Sequence, residues 1–278
     1  MSIVFNAADH SYKSIEADEI KWISVTSLVS QFKKPFDAKA VAERVTKSKR
    51  SKWYGIPPEK ILEIWDNEAN RATTLGTYYH NQRETDLCSL ASLEKDGITI
   101  PVIPPVPELE GLKQAPSQRL DPGVYPEHMV FLKSAGICGQ SDLVEVVNDQ
   151  VFIIDYKTNK EIKTESYVNW EGISEKLQFP VNNLDDCHFN HYALQLSIYM
   201  YIILKHNPKL KPGKMFIHHV QFETEGEDDY GYPITKYTSE GDPVVKEVTP
   251  MEIPYLKDEV ISIINWLHEN RDLIKKKC

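Results

Sequence analysis

Three charged residues, Asp142, Asp155 and Lys157, have the types and spacing that phosphoryl or metal chemistry requires. Asp155 and Lys157 come at the end of the apolar run Val151–Ile154, whose β-branched and aromatic side chains predict a strand buried on both faces. Because they are two residues apart on this strand, their side chains point to the same face. The strand is therefore expected to end by presenting a carboxylate beside an ammonium.

A tight hairpin would bring Asp142 to the same strand end. Only the pair Asn148–Asp149 lies between two strand-like runs, and both residue types tolerate the positive φ that such a hairpin needs. If this pair forms the loop, Val147 pairs with Gln150. Counting back along both strands then places Asp142 directly opposite Asp155.

Two facing carboxylates favour a bound cation. Directly opposed residues of antiparallel strands have Cβ atoms roughly 4.5–5.5 Å apart, where like charges destabilise the pair. Oxygen ligands select a hard ion, so the expected cofactor is Mg²⁺ or Mn²⁺. Lys157 could then hold a water or an anionic substrate against that ion. The alternative is a solvated hairpin end, in which Lys157 simply neutralises the two aspartates.

Composition predicts a globular protein with a sizeable core. The 278 residues are 41% hydrophobic and 10% aromatic, and no apolar run approaches the length of a membrane span. The N-terminus has neither a basic leader nor a signal-peptide core. Four cysteines occur without a CxxC pair, which is typical of reduced thiols. We therefore expect a cytoplasmic protein without a membrane partner.

Charge is unevenly distributed along the chain. The formal net charge of −9 argues against bulk electrostatic coating of nucleic acid, but residues 33–52 contain eight Lys or Arg against two acidic residues. A basic face on an acidic body is typical of a protein that grips a polyanion in one groove. The end of this segment predicts a phosphate track with a stacking platform, formed by Lys47, Lys49, Arg50, Lys52 and Trp53. The alternative is a solvated helix end with Trp53 in the core.

The elements that must position these groups follow from periodicity and turn residues. Helices are predicted through residues 26–32, over Asp37–Ser48, from Pro58 onward, over Thr77–Leu93, over Asn190–His206 and over Pro254–Lys277, with a break or bend near Gly76. Strands are predicted over 98–103, 127–132, 137–147, 150–157 and 214–222, and the last of these is expected to run parallel to a neighbouring strand. An acidic loop at 223–229 follows, and then a short strand pair over 235–237 and 244–248.

Four motifs in this order resemble the PD-(D/E)XK nuclease superfamily. They are Gly76-Thr77-x-x-His80 with Glu84, Gly139-Gln-Ser-Asp142, Ile154-Asp155-Tyr156-Lys157-Thr158 and Gln195-Leu-Ser-Ile-Tyr199. The RecB-type branch is the most similar, which includes the mitochondrial genome maintenance exonuclease and many phage exonucleases. The resemblance implies an α/β fold with a mixed central sheet flanked by helices, and we expect a mostly helical N-terminal accessory region.

The resemblance also implies roles for individual residues. Asp142 and Asp155 would hold the divalent metal together with the Tyr156 carbonyl, and Lys157 would position water and stabilise charge on the phosphate. His80 would ligate or gate a metal, with Glu84 and Glu127 as additional candidate ligands, although Glu127 could equally be an edge charge. Gln195 and Tyr199 would bind the DNA strand, unless Gln195 caps a carbonyl and Tyr199 is core. No iron–sulfur cluster is expected, because the cysteines of relatives that hold one are not matched.

The sequence thus predicts a single nuclease domain over 1–278, with a DNA-engaging region at 1–75, a catalytic core at 76–222 and the acidic loop, short strands and C-terminal helix at 223–278. The expected function is a Mg²⁺- or Mn²⁺-dependent DNA exonuclease of recombination, repair or replication, acting on single strands or free ends. A phage origin is compatible with this reading and would place the protein in the host cytoplasm. The alternatives are a structure-specific endonuclease, a non-catalytic DNA-binding scaffold, and a structural hairpin unrelated to nucleic acid.

Overall fold

A mixed β-sheet forms the centre of the protein in the computed structural model, which describes residues 3–6, 11–15, 20–95 and 97–271. The helices are α1 (Val25–Ser30), α2 (Ala38–Val45), α3 (Pro58–Cys88), α4 (His188–His206) and α5 (Lys257–Asn270). The strands are β1 (Ile3–Asn6), β2 (Ser11–Ser14), β3 (Ile23–Ser24), β4 (Ser92–Lys95), β5 (Ile98–Pro101), β6 (Leu112–Gln114), β7 (Gly123–Leu132), β8 (Ile137–Val147), β9 (Gln150–Lys157), β10 (Lys211–Phe222), β11 (Thr224–Glu227), β12 (Pro233–Thr235) and β13 (Val245–Ile253).

The central sheet has the order β13-β10-β9-β8-β3, and β7 also pairs with β8. The β9–β10 and β3–β8 pairs are parallel, whereas β7–β8, β8–β9 and β10–β13 are antiparallel. The crossover from β9 to β10 passes through α4, as a parallel connection requires. The predicted mixed sheet flanked by helices is confirmed.

The predicted hairpin is confirmed as well. Asn148 and Asp149 have φ of 50° and 60°, and the β8–β9 ladder begins at the pair of Val147 with Gln150. Both loop residues lie in the left-handed region, which matches the twist of a two-residue hairpin. This turn sets the register of the whole β8–β9 pair.

Helix α4 packs across one face of the sheet because it is apolar on nearly all sides. Leu194 and Ile198 of α4 are fully buried against Ile153 of β9 and Ile217 of β10, and Ile263 of α5 joins the same core. Burying one such side chain contributes roughly 1.5–3 kcal/mol. The face opposite α4 is left to α3 and to the β4–β5 hairpin, whose Leu93 and Ile100 join a second, smaller cluster with Leu87 of α3.

A break or bend was predicted near Gly76, and the break is wrong. Helix α3 runs without interruption from Pro58 to Cys88, and Gly76 serves a close approach instead. A Cβ on Gly76 would lie 3.2 Å from Thr158 Oγ1, so the glycine lets the segment after β9 pass against the helix. The expected boundary at residue 75 also lies inside α3, and β3 and α1 belong to the central sheet and its core.

Several predicted boundaries after residue 88 are also wrong. The helix predicted to Leu93 ends at Cys88, because Ser92–Lys95 pairs with Ile98–Pro101 as the β4–β5 hairpin. The acidic loop contains β11, which pairs with β12, and β13 pairs with β10. The predicted pairing of 235–237 with 244–248 is reduced to a bridge of Tyr237 with Pro243 and a hydrogen bond from the Val244 N–H to the Lys236 carbonyl. The last helix starts at Lys257, since β13 continues to Ile253, and its predicted end at Lys277 lies outside the described residues. Among the described helices, none is both long and apolar enough to span a bilayer.

Candidate active site

Asp142 and Asp155 lie where the β8–β9 ladder ends. The ladder continues as far as the pair of Leu143 with Ile154, so the two aspartates occupy the next opposed positions. At this level the Asp142 side chain takes the place of a backbone partner, because its Oδ2 accepts a hydrogen bond from the Tyr156 N–H at 2.7 Å. The register therefore agrees with the one counted from the hairpin.

Glu127 extends this arrangement to a third strand. The β7–β8 ladder pairs the residues on either side of Glu127 but does not pair Glu127 with Asp142, which stands at the same level. Glu127 has φ of 48°, in the left-handed region that non-glycine residues seldom adopt. Such strain concentrates at functional sites. Glu127, Asp142 and Asp155, from three neighbouring strands, are called the carboxylate row below.

His80 of α3 contacts the carboxylate row. Its Nδ1 lies 3.5 Å from Asp142 Oδ1 and 3.9 Å from Glu127 Oε1, and its Nε2 is 3.1 Å from the Tyr156 carbonyl oxygen. Burial disfavours a charge on His80, but the nearby carboxylates of Asp142 and Glu127 outweigh burial and raise the pKa of His80 to about 10. The imidazole is thus a cation at neutral pH, and its Nε2 donates to the Tyr156 carbonyl. It balances negative charge that burial would otherwise make costly.

Asp155 and Lys157 form a buried ion pair at the other end of the row. Their side chains are 2% and 18% exposed, and the Lys157 Nζ contacts Asp155 Oδ2. Burial, reinforced by Asp142, raises the pKa of Asp155 above the usual carboxyl range. Burial alone would lower the pKa of Lys157, but Asp155 and Asp142 outweigh it and hold that pKa above its usual value. Lys157 is therefore a permanent cation at neutral pH.

Residues of α4 contact both members of this ion pair. Gln195 Nε2 lies 3.3 Å from Asp155 Oδ1 and 3.4 Å from the Tyr199 hydroxyl, so the amide can donate to both. The Tyr192 ring centre is 4.9 Å from Lys157 Nζ, a cation–π distance, and its hydroxyl donates to Asn159. Tyr192 was missed in the sequence, although it precedes Gln195 by three residues and so shares its helical face.

The residues present fit a divalent metal ion. Ligand atoms of His80, Glu127 and Asp142 all lie within 4.8 Å of one another. Carboxylate oxygens with one imidazole nitrogen are ligands that Mg²⁺ or Mn²⁺ accepts, and an ion there would neutralise the mutual repulsion of the carboxylates. The structure thus brings Glu127 into the group. The other predicted ligands have different contacts. Asp155 contacts Lys157 and Gln195, and the Tyr156 carbonyl contacts His80. Glu84 lines an adjacent cleft.

Two residues predicted to contact DNA are buried, and both predictions are corrected. Tyr199 is 2% exposed and packs so closely on Gly139 that a Cβ there would lie 2.7 Å from Tyr199 Cε1. It supports Gln195 and presents no surface to a strand. Trp53 is 7% exposed and stacks on Tyr230 with ring centres 5.8 Å apart, so the alternative of a core tryptophan holds.

The basic residues before Trp53 remain on the surface. Lys47, Lys49 and Arg50 are exposed in the turns after α2. Lys52 is tied down, because its Nζ donates to the Tyr230 carbonyl at 2.6 Å and lies 4.7 Å from the ring centre of Trp53. Within the described residues, Lys47, Lys49 and Arg50 have no such tether, while Lys52 fastens this segment to the turn at 228–232.

Comparison with known proteins gives one family. The model of the PD-(D/E)XK nuclease superfamily matches residues 40–274, a span that includes His80, the whole carboxylate row and Lys157. No curated protein matches the chain. Among solved structures, one described as "Crystal structure of SSO0001" aligns with 13% identity and a TM-score of 0.33, covering 95% of this chain and 81% of that one.

Proposed function

Because this chain belongs to the PD-(D/E)XK nuclease superfamily, we propose that it is a DNA exonuclease that hydrolyses phosphodiester bonds with Mg²⁺ or Mn²⁺. The observation that carries the proposal is the carboxylate row, which has His80 at one end and the Asp155–Lys157 ion pair at the other. A structural hairpin end has no need for three carboxylates held together against their repulsion. A nuclease needs them to hold a cation where the phosphate lies.

His80, Glu127 and Asp142 would hold the metal ion, and Asp155 would complete the set from the neighbouring strand. When bound, a divalent ion supplies Lewis acidity toward a phosphoryl oxygen and makes a water acidic enough to yield hydroxide near neutral pH. The proton on His80 must leave for the imidazole to ligate, so binding and deprotonation of His80 are coupled. His80 thereby neutralises the row until a metal does so.

Lys157 would act through its charge. Because Asp155 and Asp142 keep it protonated, it cannot accept a proton from water at neutral pH and instead stabilises negative charge that develops on the phosphate. Asp155 orients the ammonium, and Gln195 orients Asp155. Gln195 is half-buried, and we propose that it also contacts the strand near the scissile phosphate. Tyr199 holds Gln195 in place, while Lys47, Lys49 and Arg50 supply exposed positive charge for the more distant backbone.

The exonuclease mode is supported by the similarity of the four motifs to the RecB-type branch, whose phage and mitochondrial members act on DNA ends. We place the activity in DNA recombination, repair or replication on the same ground. Single-stranded DNA with a free end is the proposed substrate, and the exposed cations of Lys47, Lys49 and Arg50 would contact its backbone.

The test is cleavage of end-labelled linear and circular single-stranded DNA, and of RNA, with Mg²⁺, with Mn²⁺ and in EDTA. We expect degradation of linear DNA alone, no cleavage in EDTA, and loss of cleavage in Asp155→Ala and Lys157→Ala proteins that remain folded. Lys209→Ala is the matched control, because Lys209 is exposed in the turn before β10, next to the β8–β9 hairpin and far along the strands from the row.

Other outcomes identify the alternatives. Cleavage of circular DNA would favour the structure-specific endonuclease, and DNA binding without cleavage in either metal would favour a non-catalytic scaffold. Full activity in EDTA, or in the Asp155→Ala protein, would refute the role given to the carboxylate row.

A further inference from the structure

A cleft of about 610 Å³ opens directly beside the carboxylate row. Glu127, Glu84 and Gln140 line the side nearest the row, and the Gln140 Nε2 donates to the Glu127 backbone carbonyl at 3.0 Å. The left-handed φ of Glu127 therefore places this residue at the junction of row and cleft. The volume lies within the range of about 300–1,000 Å³ that is common for small-molecule sites.

The far wall of the cleft is an anchored segment rather than a loose loop. It belongs to the proline-rich connection between β5 and β7 and is formed by residues 103–108 and by Lys113, Gln114, Pro116, Ser117, Arg119 and Asp121. Strand β6 within it pairs with β1. Gln118 donates to the Met129 carbonyl at 2.9 Å and accepts from the Phe131 N–H at 3.2 Å, and Asn207 donates to the Gln118 carbonyl at 2.8 Å. The cleft is therefore preformed.

The lining of the cleft suits one nucleotide better than a longer polyanion. Lys113 is half-buried and acts electrostatically on Glu127, whereas Arg119 is exposed. Within the part of the chain that the structure describes, neither has a carboxylate at salt-bridge distance. Apolar surface beside them comes from Ile103, Val106, Tyr125 and prolines. Glu108 and Asp121 also line the cleft, so it is no continuous basic track. It offers cations for a single phosphate and an apolar wall for a single base.

We propose that this cleft binds the nucleotide next to the scissile phosphate, with its base on the apolar wall and its own phosphate on Lys113, assisted by Arg119. The proposal rests on the nuclease function proposed above and deepens it. Because a cleft of about 610 Å³ has room for few nucleotides, only a short strand end would occupy it. Short products, one or two nucleotides long, are the expected consequence.

The test measures nucleotide binding and product length separately. Binding of deoxyadenosine monophosphate to the full chain in EDTA is measured by calorimetry, and products from end-labelled linear DNA are sized on sequencing gels with Mg²⁺ or Mn²⁺. Lys113→Ala should weaken nucleotide binding about tenfold or more, as expected for loss of a charged hydrogen bond. It should also shift products from one or two nucleotides to longer fragments.

Two matched variants make the result specific. Lys113→Arg keeps the cation and should retain binding and product length, which excludes a folding defect in the β1–β6 pair. Lys209→Ala removes an exposed lysine that does not line the cleft, and it should change neither readout. If wild-type protein cleaves DNA but Lys113→Ala binds the nucleotide and cuts as wild type does, the cleft proposal is wrong and the nuclease function stands. If wild-type protein cleaves nothing with either metal, the nuclease function fails and the cleft proposal fails with it.

Discussion

The Asp155–Lys157 ion pair should be strongly coupled in stability, because it is removed from water. Its side chains are 2% and 18% exposed. Lys157→Met keeps the length of the side chain but removes its charge, so the buried Asp155 carboxylate loses its partner. We predict that this variant lowers the free energy of unfolding by about 3–5 kcal/mol. In a chain of this size that loss lowers the melting temperature by roughly 10 °C.

The double variant Asp155→Asn with Lys157→Met removes both charges together. Its loss of stability should be smaller than the sum of the two single losses by about 3 kcal/mol, since neither variant group then needs a charged partner. The exposed pair of Lys214 with Glu252 is the matched control, because its atoms are 2.7 Å apart but its side chains are 61% and 53% exposed. Its coupling should be at most about 1 kcal/mol.

Urea unfolding in EDTA measures both cycles, and pH supplies an independent check. Burial raises the pKa of Asp155 in the folded state, so the folded Lys157→Met protein binds a proton there more tightly than the unfolded chain does. Its deficit should therefore be small below about pH 4, the ordinary carboxyl pKa, and should grow as the pH rises through the raised pKa. Additive single effects at Asp155 and Lys157, or equal coupling in the exposed pair, would refute the reasoning.

Four further predictions concern the surroundings of the row. In EDTA, the stability contributed by charged His80 should be fully present below its unfolded pKa of about 6.5 and should be lost as the pH rises toward its folded pKa of about 10. The variant His80→Gln should remove this pH dependence of stability in urea titrations. Binding of Mg²⁺ or Mn²⁺ near pH 7.5 should release close to one proton per ion, a value that calorimetry in two buffers of different ionisation enthalpy would check. Gly139→Ala should destabilise the fold by about 1–3 kcal/mol in thermal melts, since its Cβ would meet the buried Tyr199 ring. Tyr199→Phe should lower single-stranded DNA affinity less than Gln195→Ala does in a filter-binding assay, because the buried Tyr199 acts only through Gln195. An equal or larger loss would contradict this indirect role.

Local rules were sufficient for the hairpin and insufficient for the long helix. The positive φ of Asn148 and Asp149 and the alternation of side chains along β8 and β9 depend only on neighbours in the chain, so their register could be counted. Helix α3 was predicted to break at Gly76 because glycine lowers helix propensity locally. It continues because packing outweighs a cost of about 1 kcal/mol, and Thr158 occupies the space that a side chain would need.

The same division explains the errors at Tyr199 and Trp53. Both side chains carry an aromatic ring that could stack on a base, and the sequence left core and DNA-binding roles open for each. Burial decided between them, and burial depends on what α4 packs against and on the turn at 228–232 that covers Trp53. No periodicity within a single helix contains that information.

The sequence by itself determined that Asp142, Asp155 and Lys157 meet at one strand end, because a period of two and a two-residue turn place them there. Only the tertiary structure decided that His80 comes from a distant helix to contact Asp142, and that a left-handed φ brings Glu127 into the row. It alone decided that residues 103–121 enclose a cleft beside them. These contacts join segments dozens of residues apart, and they depend on packing between elements rather than on the conformation of any one of them.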